Sequence, residues 1–67
     1  MQVTLNGEER EFPSDISVAE ALELLGLSDY RGVAVELNGA FVERDAYTST
    51  PIADRARLEL VRFVGGG

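Results

Sequence analysis

Ser17-Val18-Ala19-Glu20-Ala21-Leu22-Glu23-Leu24-Leu25-Gly26-Leu27 is the stretch that decides the architecture of this 67-residue chain. Ser17 and Glu20 have the spacing of a capping box, in which each side chain accepts a hydrogen bond from the other residue's backbone N–H. Val18, Ala21, Leu22 and Leu25 recur at i, i+3, i+4 and i+7, the apolar stripe of an amphipathic helix, with Glu20 and Glu23 on the outer side. Gly26 supplies the left-handed residue just past the helix end, and Leu27 can fold back onto the last turn. The spacing therefore predicts a helix of about two turns with one face to bury.

Upstream, Val3 and Leu5 alternate with Gln2, Thr4 and Asn6, the period-two pattern of a half-buried strand. Asn6-Gly7 follows, a strong hairpin signal because a type I′ turn needs positive φ at both central residues. A second strand is expected from about Glu9 to Phe12, ended by Pro13, which cannot donate to a ladder. Downstream the pattern repeats in kind. Val33, Val35 and Leu37 share a face, Ala34 and Glu36 take the other, and Asn38-Gly39 turns the chain into a short strand at Ala40-Phe41-Val42. Arg44 to Ile52 reads as a polar loop holding one helical turn. Arg57 to Val64 is the last strand. Beyond the shared turn chemistry the two hairpins do not match, so there is no internal repeat.

One helix between two hairpins, followed by a further strand, can cover one face of a mixed sheet of about five strands. That is the α+β β-grasp (ubiquitin-like) arrangement, with residues 1–64 as the domain and residues 65–67 as a flexible glycine tail. The other sheet face is left open.

Composition narrows the function classes. The chain has no Cys, His or Lys, and twelve acids stand against six Arg. Without Cys there is no disulfide framework, thiolate nucleophile or thiolate metal site. Without His the usual neutral-pH base is missing, and without Lys no Schiff base can form. Carboxylate chemistry remains, but it needs a cleft, and a chain this short leaves little material to build one. The expectation is a protein that is not an enzyme and holds no metal. A net charge of −6 argues against nucleic-acid binding. The acids are spread along the chain, which fits a solubilising surface; they would also steer it toward a basic partner surface. No secretory signal and no run of roughly 20 apolar residues is seen, so a cytoplasmic, non-membrane protein, monomeric when free, is expected.

In the last strand, Leu58 and Leu60 point under the helix, while Glu59, Val61 and Phe63 point to the open face. Val61, Phe63 and Val64 are candidate partner contacts. Then comes Gly65-Gly66-Gly67. Termini are commonly disordered, so a frayed end or a cloning remnant is one reading. The other is functional: three residues without side chains can thread a narrow channel and reach about 10 Å into a partner. Composition does not choose between them.

Taken together, Met1-Gln2-Val3-Thr4-Leu5-Asn6-Gly7, Val35-Glu36-Leu37-Asn38-Gly39, Val42-Glu43-Arg44-Asp45-Ala46-Tyr47 and, above all, Leu60-Val61-Arg62-Phe63-Val64-Gly65-Gly66-Gly67 resemble the ThiS-type sulfur carriers of thiamine biosynthesis. The resemblance runs the length of the chain. One departure is Asp54-Arg55-Ala56, where that family tends to have an Asp-Gly turn before the last strand. The resemblance implies that an E1-like adenylating enzyme, using ATP and Mg²⁺, activates the Gly67 carboxylate. Sulfur from a cysteine desulfurase, carried as a persulfide on a partner's cysteine, then displaces AMP. The Gly67 thiocarboxylate finally gives its sulfur to thiazole synthase. Gly65 and Gly66 would thread the partner's active site, and the chain itself would bind no cofactor. Two alternatives stand beside this. One is the small subunit of molybdopterin synthase, which has a similar fold and Gly-Gly end, although the short length and the Phe63-Val64-Gly65 approach favour thiamine. The other is a β-grasp interaction module that works only through its open face.

Overall fold

Alternation, two Asn-Gly turns and one capped helix produce the expected elements in a computed structural model that describes residues 1–27, 29 and 32–62. β1 (Gln2–Leu5) and β2 (Glu8–Glu11) form the first antiparallel hairpin, and β3 (Val33–Leu37) and β4 (Ala40–Val42) form the second. Helix α1 (Val18–Leu24) lies between them in sequence, and β5 (Arg57–Arg62) closes the described chain. The strands stand in the order β2-β1-β5-β3-β4. β5 runs parallel to β1 and antiparallel to β3, so the last strand is the centre of the sheet. This is the β-grasp arrangement expected from the element order.

The turns behave as their residues require. Asn6 and Asn38 have φ of 49° and 52°, and Gly7 and Gly39 both have φ of 86°. The second strand begins one residue earlier than expected and ends at Glu11. Phe12 nevertheless stays hydrogen-bonded to the first strand, its N–H donating to the carbonyl of Met1 at 2.9 Å, and its side chain is buried.

The helix carries the predicted capping box, Ser17 Oγ accepting from Glu20 N–H and Glu20 Oε1 accepting from Ser17 N–H. Its end is a complete Schellman motif. Gly26 sits at φ 78°, Leu27 N–H donates to the Leu22 carbonyl at 2.8 Å, and Gly26 N–H donates to that of Glu23 at 3.0 Å. Val18, Ala19, Ala21 and Leu22 are buried, with Leu25 and Leu27 packed against the same core. Against them lie Val3, Leu5, Val35 and Leu58 from the sheet.

The loop after β4 holds one 3₁₀ turn, Arg44–Ala46, as expected. It has a second role that its polar composition hid. Val18 N–H donates to the Thr50 carbonyl and Ala19 N–H to that of Tyr47, each at 2.9 Å, so the loop takes up two donors that a helix N-terminus leaves unpaired. Tyr47 and Ile52 are buried beneath it. Among the described residues no helix is long and apolar enough to cross a membrane.

Candidate functional site

Each strand that leads toward the open face alternates, so burial on one side fixes what is presented on the other. In β5, Leu58 is fully buried and Leu60 half-buried on the helix side, while Arg57, Glu59 and Val61 are exposed on the other. Val61 is 51% exposed and stands directly across from Ala34 on β3. The other predicted site residues, Phe63, Val64, Gly65, Gly66 and Gly67, lie outside the described residues, as does the boundary between the domain and its tail.

One residue of this face was missed. Phe41 is 66% exposed and pairs with Glu36, which in turn lies opposite Glu59. The signal was present in the alternation: with Val42 buried, Phe41 has to point outward. Val61 with Ala34, and Phe41 two strands from Val61 in the next row, give this corner of the uncovered face its apolar surface, with Glu36 and Glu59 completing the row of Phe41. Like charges directly opposite on neighbouring strands oppose sheet stability, and water reduces but does not remove that repulsion. Toward β2 the face continues through Thr4, Gln2, Glu9 and Glu11, so its acids outnumber Arg57. Among the described residues there is no enclosed pocket and no cluster of three or more metal-ligating side chains.

The Asn-Gly turns also reach β5, one from each side. β1 ends as the chain turns at Asn6, whose N–H donates to the Leu58 carbonyl at 3.0 Å. The Asn6 side-chain amide then takes the next two positions of the parallel ladder. Its Oδ1 accepts from Leu60 N–H at 2.8 Å, and its Nδ2 donates to the Leu60 carbonyl at 3.3 Å. From the β3 side, Asn38 N–H donates to the Arg57 carbonyl at 2.7 Å, and Asn38 Oδ1 accepts from Arg57 N–H at 2.8 Å. These contacts were not legible as such, because each joins a turn to a distant strand.

The model of the ThiS family matches residues 3–67. The crystal structure of the thiamine biosynthesis protein ThiS from Geobacter metallireducens is 35% identical and superposes with a TM-score of 0.86, covering all of both chains. Thiazole synthase of Paramagnetospirillum magneticum is 42% identical over all 67 residues, and that of Magnetococcus marinus 34%. The chain spans only 20% of the length of each thiazole synthase. The family match over nearly the whole sequence, on this fold and at this level of identity, decides between the carrier alternatives. The chain belongs to the ThiS family, small ubiquitin-like sulfur carriers of thiamine biosynthesis rather than catalysts.

Proposed function

We propose that the working group of this carrier is the carboxylate of Gly67. An E1-like adenylating enzyme converts it to an acyl adenylate with ATP and Mg²⁺, both held by that enzyme. A free carboxylate is a poor electrophile, and adenylation supplies the leaving group it lacks. The terminal sulfur of a persulfide on a partner's cysteine, delivered from a cysteine desulfurase, displaces AMP to give an acyl disulfide. A second thiol then cleaves its S–S bond, becoming oxidised to a disulfide with that cysteine, and leaves the thiocarboxylate, which thiazole synthase accepts. Gly65 and Gly66 thread the partner's channel, where side chains would not fit. We place these steps in the cytoplasm, with the free carrier a monomer.

The observation that carries this reading is the position of β5. The strand that precedes the glycines in sequence is held in the centre of the sheet, and its exposed Val61 pairs with Ala34 on the uncovered face that also presents Phe41. Val61 is followed in the sequence by Arg62, Phe63, Val64 and then the glycines. The apolar corner and its Glu36 and Glu59 border suit a partner surface with an apolar depression and basic groups around it. The likeness to two proteins called thiazole synthase supports that enzyme as the sulfur acceptor.

The test is the intact mass of the chain after incubation with the adenylating enzyme, ATP and a sulfur source. One oxygen should be exchanged for sulfur. Removing Gly66 and Gly67 should abolish the exchange and leave the melting temperature unchanged. A truncated chain that still supports thiamine synthesis would instead establish the interaction-module reading.

A further inference from the structure

We propose that Asn6 is a positioning residue for the terminus: its side-chain amide stands in for a missing stretch of β1 and holds β5 in place beside Val61. The inference rests on the carrier reading above. β1 pairs with β5 only at Thr4 and Leu5, opposite Arg57 and Leu58. Past that point the backbone leaves at Asn6, in the left-handed region, to make the hairpin turn. Without a substitute, the β1 side of Leu60 would be unpaired two residues before the strand ends. A primary amide has one acceptor and two donors, and here both kinds are spent on the N–H and carbonyl of a single residue, Leu60. Asn38 makes the corresponding contact at Arg57, on the opposite flank and at the other end of the strand. β5 is therefore gripped at its start by one Asn-Gly turn and in its second half by the other.

The grip bears on docking. Residues released from a ladder must be ordered again when they bind, at an entropic cost that weakens association. Val61 lies next to Leu60, so the Asn6 amide keeps the apolar corner in its docking geometry before the partner arrives. Its effect belongs in the Michaelis constant for the carrier and not in turnover once docked.

Two variants separate the side chain from the turn. Asn6→Gly keeps a residue suited to positive φ and removes both side-chain hydrogen bonds. Asn6→Asp tolerates the same φ and keeps an acceptor for Leu60 N–H. Amide hydrogen exchange at Leu60 should accelerate about tenfold or more in Asn6→Gly, with exchange at Val35 and Leu58 unchanged. The KM of the adenylating enzyme for this variant should rise roughly 3–10-fold with kcat within about twofold, and Asn6→Asp should recover only part of the loss, since its second oxygen cannot donate to the Leu60 carbonyl. Unchanged exchange at Leu60 overturns the grip. Faster exchange with an unchanged KM, or a fall confined to kcat in step with a lower folded fraction, overturns the positioning role. A wild-type chain that is never loaded with sulfur overturns the carrier reading and the docking half of this proposal, while exchange at Leu60 still decides the grip.

Discussion

Arg55 holds φ at 70° in the turn ahead of β5, a conformation that suits glycine. Its N–H donates to the Gln2 carbonyl at 2.6 Å, and Asp54 Oδ1 accepts from Gln2 N–H at 2.8 Å, so the turn is tied to the start of β1. The left-handed region costs an L-residue with a Cβ about 1–2 kcal/mol. Arg55 gains little in return, since its ion pair with Asp54 is 4.0 Å long and solvent-exposed. Glycine relieves the strain but adds about 0.5–1 kcal/mol of unfolded-chain entropy. Arg55→Gly should therefore stabilise the fold by roughly 0.5–1 kcal/mol, seen as a higher urea midpoint at an unchanged slope. A lower midpoint would show that the Arg55 side chain makes a larger contribution than its exposed position indicates. The departure at Asp54-Arg55-Ala56 was legible in the sequence; the hydrogen bonds that force Arg55 into this conformation were not.

At the scale of elements, β5 and α1 share the core, and the two leucines of β5 do not share it equally. Leu58 has no exposed surface, whereas Leu60 is half-buried at the margin. Leu58→Ala should cost about 2–5 kcal/mol, enough to leave a domain of this size largely unfolded. Leu60→Ala should cost less, about 1–2 kcal/mol, because less apolar area leaves water there. Thermal melts of the two variants check the ordering, and equal losses would mean the helix covers both alike. Alternation alone placed both leucines under the helix correctly. It could not grade them, because that depends on where a short helix stops along a longer strand.

At the scale of the whole molecule, the fold covers one sheet face and leaves the other exposed, the face proposed above for docking. A carboxylate placed at Val61 would sit next to the Glu36 and Glu59 border and remove the apolar contact together. Val61→Asp should weaken binding to the adenylating enzyme at least about tenfold while leaving the melting temperature within a few degrees of the parent. Titration calorimetry and a thermal melt on the same sample check both halves. A variant that unfolds would mark Val61 as core, despite its exposure. The absence of Lys bears on the proposed chemistry: a Gly67 activated in that way would meet no ε-amine within these 67 residues.

What the sequence determined by itself were the parts written in local chemistry: the capped helix and its Schellman end, both Asn-Gly turns, the inward and outward alternation of each strand, and the removal of thiol, imidazole and ε-amine chemistry from the domain. Each rests on residues within a few positions of one another, where spacing maps directly onto geometry. Tertiary structure decided the rest. It put β5 between β1 and β3, turned Asn6 and Asn38 into grips on that strand, buried Tyr47 under the helix start, and gathered Val61, Ala34 and Phe41 into one corner. Those outcomes depend on pairings between residues far apart in the chain, and such pairings are chosen by the burial of the shared core, which no local pattern records.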